Sequence, residues 1–451
     1  MVEAIANGIE DKLIDGLSFK MNPGASYVVD RRSVTYHPQG SNIYKTSSGT
    51  KLIRILLTGD NWLDTATFRI MFDVRNNEGT VGRKLYVLGG PHVFFRRMRI
   101  LAAGQLVEDI DSYNRIHEMM SILTSTDSRD NQAAEAFGAH WDTGGTQAAV
   151  PYPAAQGIPG GTSLTVLFKP LSGLLNQNKM LPIRYAPITL ELELVDTATD
   201  PVITIQAADA SGVQAEFKAA TTSNDWQIEN VQVKVDVCTL DNALDNSYAQ
   251  HLLSGKSLPI SYNTFVSQFQ AANSTDKNLI NVSRALTRLK SVFVTLQRAA
   301  TAAEILRKDW NTFHSPMRAD NITALNHVSE GEFEYQLQIG SKLFPEYPIR
   351  SHNEAFYQLA KTLGVQASAL HNFDISAREY RYNKLILGTD CEKVLDAGFT
   401  GLNTRAGDLM TVKFDLKATT DLALRKPDRI HIVLHSDQIL EIRDSGCQVY
   451  A

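Results

Sequence analysis

Cysteine is scarce: Cys238, Cys391 and Cys447 are the 3 in a chain of 451 residues. An odd number at wide spacing argues against a secreted disulfide framework and points to free thiols in a reducing compartment. Long apolar runs are missing too, since no stretch approaches the roughly 20 residues that cross a bilayer as a helix. The opening MVEAIANGIEDKLIDGL is acidic and interrupted by Gly8, without the continuous apolar core of a secretory signal. Its Ile5, Ile9 and Leu13 recur at helical spacing, which predicts a short amphipathic arm. Basic excess is also absent: 44 Lys and Arg against 49 Asp and Glu leave a formal charge of −5. Neutralising phosphates requires clustered basic residues, so no sequence-specific nucleic-acid contact is expected. Without an export signal, the N-glycosylation patterns at Asn273, Asn281 and Asn321 read as chance matches.

What the chain does have is length and an ordinary globular composition. At 43% hydrophobic and 21% charged residues it lacks the signature of disorder. Its length suggests two or three domains, each large enough to bury a core of its own.

Period-two alternation dominates. In TATFRIMFDV one face carries Ala66, Phe68, Ile70, Phe72 and Val74, and the other Thr67, Arg69, Met71 and Asp73. NVQVKVDVC sets Val231, Val233, Val235 and Val237 against Gln232, Lys234 and Asp236. EFEYQLQI alternates Phe333, Tyr335, Leu337 and Ile339 with Glu332, Glu334, Gln336 and Gln338, and TVKFDL and RIHIVLH continue the habit. Strands with one dry and one polar face belong to antiparallel sheets, and many of them with few helices predict β-sandwiches.

The helices are short. SYNRIHEMMSIL places Tyr113, Ile116, Met120 and Leu123 on one face behind Asp111 or Ser112 as N-cap. SHNEAFYQLAKTLG opens with a capping box, Ser351 to Glu354, presents Phe356, Leu359 and Leu363 together, and stops at Gly364. Each follows a strand and a glycine-containing loop, about half a chain apart, which hints at an internal duplication. Between the halves, Asp241 can cap a helix bearing Leu244, Tyr248 and Leu252, closed by Gly255 and Pro259, and this is the expected inter-domain connector. Long irregular insertions interrupt both halves. Short framework strands with long loops describe a jelly-roll-like sandwich.

The chemistry-bearing residues do not converge on a reaction. Glu191 and Glu193 in LELEL share a strand face about 6 to 7 Å apart, near the spacing of paired glycosidase carboxylates. The competing reading is a polar strand face turned to solvent or to a neighbouring subunit, with Leu190, Leu192 and Leu194 in the core. His431 and His435 share a strand face about 13 Å apart, too far to hold one zinc ion. His117 and Glu118 lack a second histidine at helical spacing, which leaves His117 as a surface histidine. GTVGRK and GIPGGTS have neither Walker spacing nor a following helix to receive a phosphate. Arg97 and Arg99 in FFRRMRI form a basic strip, read as an inter-subunit ion-pair surface ahead of a nucleic-acid or lipid contact. Trp62, Trp141, Trp226 and Trp310 are scattered and build no sugar platform. No catalytic, cofactor-binding or metal-ligating residue is assigned.

LFKPLSGLLNQNKMLPIRYAPITLELELV resembles the first-domain signature of double jelly-roll major capsid proteins of eukaryotic DNA viruses, in particular the polinton-like virus and virophage-related group. QLQIGSKLFPEYPIRSHNEAFYQLAKTLG and RIHIVLHSDQILEIRDSGCQVYA are similar to that family's second-domain and terminal signatures, and DNALDNSYAQHLLSGKSLPI to its inter-domain region. The resemblance implies an all-β chain of two tandem jelly-roll sandwiches with short helices and long loop insertions. Residues 1–22 would form an N-terminal arm, 23–240 the first jelly roll, 241–258 the connector helix and 259–451 the second jelly roll. It further implies a non-enzymatic major capsid protein without cofactors, forming a pseudo-hexameric homotrimer that tiles the facets of an icosahedral virion assembled inside the host cell. Partners would be itself, neighbouring trimers, penton and minor capsid proteins, and an internal membrane near the arm. The competing functions are a double-sandwich glycan-processing amidase and a glycan-binding attachment protein.

Overall fold

The computed structural model describes residues 27–47, 51–125, 157–202, 222–272, 277–298, 310–315, 333–364, 384–393, 401–405, 409–416 and 426–450, with parts of 128–137 and 375–382. The expected amphipathic arm, Glu332 and Trp141 lie outside the described residues.

Four antiparallel sheets account for the described strands. The first joins β1 (Val28–Tyr36), β10 (Trp226–Leu240), β4 (Trp62–Asn76) and β7 (Ser163–Phe168) in that order, with the short β2 (Ile43–Tyr44) and β8 (Leu181–Pro182) attached to β10 and β4. The second runs β3 (Leu52–Leu57), β9 (Ile188–Leu194), β5 (Phe95–Ala102), β6 (Gln105–Asp111). In the second half, β11 (Leu258–Ala271), β18 (Arg429–Arg443), β13 (Leu289–Gln297) and β16 (Ile386–Asp390) form the third, with β19 (Gly446–Tyr450) on β18. The fourth is β12 (Lys277–Val282), β17 (Met410–Leu416), β14 (Phe333–Ile339), β15 (Lys342–Ile349). Setting aside the short β2, β8 and β19, each half reads 1-8-3-6 on one sheet and 2-7-4-5 on the other, which is the jelly-roll order.

Alternation explains the packing. Phe68, Ile70, Phe72 and Val74 are buried along β4, and Phe72 meets Phe95 of the facing sheet edge-on at 5.5 Å. In the second half Phe333, Tyr335 and Leu337 point inward, and the Tyr335 hydroxyl bonds Thr389 Oγ1 of the facing sheet at 2.8 Å. Ala66 departs from its expected face and is exposed. The register slips there, Lys234 pairing with Arg69 but Asp236 with Asp64, and the extra β4 residues bulge out.

Both halves place a helix after the fifth strand. Helix α1 (Tyr113–Ile122) follows the β5–β6 hairpin, whose turn holds Gly104 at φ +82°. The β14–β15 hairpin turns at Gly340, φ +59°, and leads to a second such helix (His352–Thr362). The topology therefore carries the duplication that residue identity barely shows. Between the halves lies helix α2 (Asn242–Leu253), capped by the Asp241 carboxylate on Ala243 N–H and released at Gly255, φ +81°. The later helix, α3 (His352–Thr362), has its Ser351 cap on Glu354 N–H, while the Glu354 carboxylate returns to the N–H of Arg350. On α1 the cap expectation fails: Ser112 is left-handed at φ +53° and its side chain caps nothing. Met120 is half-buried, whereas Arg115, Glu118 and Met119 are buried, because α1 is enclosed from more than one side. No described helix is long and apolar enough to cross a membrane.

Candidate functional site

The question raised by the alternating glutamates resolves on β9. Leu190, Leu192 and Leu194 are buried in the core. Glu191 lies opposite Arg54 of β3 and Arg99 of β5. Its two carboxylate oxygens take Arg54 at 2.6 Å and Arg99 at 3.0 Å. Glu193 takes Arg96 at 3.2 Å, and Arg97 forks onto Asp109 at 2.7 and 2.6 Å. The arginines of the strip are thus paired within the chain while staying about a third exposed. Both carboxylates are engaged by arginines of the same sheet.

His117 is not a surface residue. It is half-buried and stacks on buried His92 at 4.0 Å, and His92 Nε2 lies 3.1 Å from Glu118 Oε2. A pocket of about 430 Å³ opens beside them, lined in part by Arg69, Lys169, Phe168 and Met120. Ser121 Oγ lies 3.3 Å from His117 Nδ1 but donates its own proton to His117 O at 2.9 Å. His431 and His435 stack instead on Phe269 and Phe265 of β11. Among the described residues no group of His, Cys, Asp and Glu could hold a metal ion. Cys238 and Cys391 are buried, Cys447 is partly buried, and all three are unpaired. Trp62 packs on Tyr248 of α2 at 4.8 Å, while Trp226 and Trp310 bond the carbonyls of Ala198 and Asp200.

The concentration of buried polar groups lies elsewhere, where the halves meet. Arg115 of α1 is 2% exposed and enters the outward side of the third sheet. Its guanidinium donates to Thr312 O at 2.9 Å, Thr295 Oγ1 at 3.1 Å and His431 Nδ1 at 3.3 Å, and sits 4.6 Å over the Phe313 ring. Thr295 and His431 are register partners on β13 and β18. Burial and the adjacent guanidinium hold His431 far below the ordinary imidazole range, so its Nδ1 is free to accept.

Glu108 of β6 forms a second polar knot. It accepts from Ser172 Oγ and, at 2.9 Å, from Gly173 N–H. Complete burial raises its carboxyl to about 7, against hydrogen bonds from Ser172 and Gly173 that favour the charged form. Gly173 is required here, because a Cβ would fall 1.6 Å from Asn263 O. Tyr262 of β11 donates to Val107 O at 3.0 Å, Ser267 to Asp111 O at 3.1 Å, and Lys179 to Pro259 O at 2.8 Å. Trp310 closes over Gly89, whose φ of +105° and proximity to the indole exclude a side chain.

Arg115, Glu108, His92 and Gly173 were not legible as functional in the sequence. Glu108 shares the inward side of β6 with Ile110, opposite Ile100, where a carboxylate is not expected until the Ser172–Gly173 turn is seen to meet it.

Two sandwiches of one strand order, in tandem and fastened by a buried joint, define a double jelly roll. This is the fold of major capsid proteins of DNA viruses. The chain is similar to PBCV-1 VP54, a structure fitted into a cryo-EM reconstruction of the virophage Sputnik, at 12% identity over 96% of this chain and 100% of that one, with a TM-score of 0.61. A structure from the Sputnik virophage itself aligns over 98% of this chain and 92% of its own at 8% identity and TM-score 0.62. The Faustovirus major capsid protein aligns over 97% and 93% at 8% identity and TM-score 0.60. No family model and no curated protein sequence matches.

Proposed function

We propose that the chain is a major capsid protein acting as a structural building block of a virion shell, without catalysis. Three copies form a homotrimer whose six sandwiches give a pseudo-hexameric capsomer, and capsomers tile the facets of an icosahedral shell assembled inside the host cell. Residues 1–22 serve as the arm, 23–240 and 259–451 as the two jelly rolls, and 241–258 as their connector. Neighbouring trimers, penton and minor capsid proteins, and an internal membrane beneath the arm are the partners of that shell.

The observation that carries this reading is the repetition of one strand order in two sandwiches locked by the joint that Arg115 and Tyr262 make across the halves. Such a unit turns a three-fold ring into an object of approximate six-fold outline. Negative-stain microscopy of the purified chain tests it: three-fold particles with a hexagonal silhouette are expected. Monodisperse single chains at micromolar concentration would overturn the reading.

A further inference from the structure

The pocket beside His92 and His117 has four walls: the C-terminal half of α1, the end of β7 with Lys169 and Pro170, the turn Pro91–Phe94, and the turn around Glu135. The last of these is held to β7 by the Leu167 N–H, which donates to Glu135 O at 2.8 Å. The volume of about 430 Å³ lies within the range of small-molecule sites.

The second half fills the corresponding place with side chains. SYNRIH of α1 matches SHNEAF of α3 at Ser112 and Asn114, which sets His117 opposite Phe356. Phe356 meets Tyr380 of the short helix Ala377–Tyr382 edge-on at 5.2 Å, and Tyr380 is buried, its hydroxyl donating to Ile386 O of β16 at 3.0 Å. Leu359 lies so close to β16 that a Cβ on Gly388 would fall 3.1 Å from its side chain. One strand order therefore closes this place in one half and leaves it open in the other, so the fold itself does not require the cavity.

The lining is an apolar chamber with positive charge left over. Phe168, Met120, Leu171 and Pro91 supply apolar wall, and the stacked rings of His92 and His117 supply a flat one. Two cations line it. Arg69 is taken by Glu135, Nε to Oε2 at 3.0 Å, and gives its Nη1 to Phe68 O. The Lys169 ammonium makes no hydrogen bond or ion pair among the described residues. Burial and then the nearby Arg69 lower its pKa, with Asp64 opposing. A half-buried cation without a partner is costly, and an anion beside it relieves that cost. The other carboxylate close by, Glu118, is engaged by His92. We propose that this pocket binds a small organic monoanion, a carboxylate on an apolar body, with the carboxylate on Lys169 and the hydrocarbon between Phe168 and Met120. One ammonium without a partner matches one negative charge, and Glu135 beside Arg69 disfavours a second, which sets a carboxylate ahead of phosphate. The site is independent of the shell role.

Titration calorimetry of the full chain with octanoate tests the proposal, with octan-1-ol and inorganic phosphate as parallel probes. Octanoate is expected to bind once per chain, more tightly than octanol by about 10-fold or more, as a hydrogen bond to a charged group contributes. Lys169→Met keeps an apolar stem and removes the charge; it should lose about 10-fold in octanoate affinity, and Lys169→Arg should restore it. In histidine-selective NMR spectra the ring signals of His117, assigned with His117→Gln, should move on adding octanoate to the wild type and stay in place in Lys169→Met. Should Lys169→Met melt early, the comparison of octanoate with octanol on the wild type decides. Octanol binding as tightly as octanoate, an octanoate affinity unchanged in a folded Lys169→Met, or neither heat nor a histidine shift would each overturn the proposal. Phosphate binding more tightly than octanoate overturns it as well, since the site would then read a bare oxyanion.

Discussion

Arg115 brings the five N–H donors of a planar guanidinium into a place closed to water, and carbonyl, hydroxyl and imidazole acceptors from the other half meet them. Replacing it with Met leaves Thr295 Oγ1 and Thr312 O without this donor, a cost of about 3 kcal/mol. Lysine does not restore the fork, since a single ammonium cannot reach acceptors spread around a plane. Urea unfolding of Arg115→Met and Arg115→Lys should show both below wild type by similar amounts. Glu108 sets a pH dependence of opposite character to an exposed carboxylate. Its folded pKa, about 7, lies above the ordinary carboxyl value of 4.5, so the folded state holds the proton more tightly. The stabilisation is complete below about pH 4.5 and is lost as pH rises through about 7. The difference amounts to about 3 kcal/mol at most. Tyr113 and Tyr262, both buried beside Glu108, have their ionisation suppressed by burial and by its charge, so neither titrates in that window. Glu108→Gln, which mimics the protonated form, should flatten the melting temperature between pH 5 and 8 in differential scanning calorimetry.

At the scale of elements, β9 shows how much of the fold was written locally. The alternation of LELEL sent its leucines inward and its glutamates outward, and the structure places them so. Leu192→Asp puts an unpaired charge at a position with no exposure and is expected to cost roughly 4 kcal/mol or more, abolishing soluble protein. Glu193→Gln exchanges a half-exposed ion pair for a neutral contact and should change stability by under about 1 kcal/mol. Size exclusion of the two variants separates these outcomes. The connector helix and the second capping box were equally legible, since Asp241 and Ser351 act on backbone two and three residues away. The bulge exposing Ala66 was not, because it depends on the register of a strand some 170 residues distant. The burial of α1 and the partner of Glu191 failed for the same reason: a one-dimensional pattern fixes which face is polar, never what comes to lie against it.

For the molecule as a whole, the sequence showed strands, loops and a faint half-chain echo, while the equality of the halves lay in the order of their pairings. Residue identity barely preserves that equality, because a jelly roll accepts any inward apolar set of adequate volume. The joint, by contrast, is built from particular groups, and Gly173 against Asn263 tolerates no added atom. The two halves also meet different surroundings. One presents an apolar outward sheet and the other a charged one, so equivalent strands carry different residues.

The connector helix α2 has consequences beyond spacing. Of its own residues only Leu252 is buried, and Leu253 through Lys256 are exposed. Beyond Tyr248 on Trp62 and Asp245 on Arg184 of the first barrel it contributes little grip, and acts chiefly as a tether that supplies the two barrels in a ratio of one to one. With the grip residing in Arg115, Tyr262, Ser267 and their partners, severing the tether after folding should not release either barrel. A chain carrying an inserted specific-protease site between Gly255 and Lys256, once cleaved, should still elute as one particle and part only in urea.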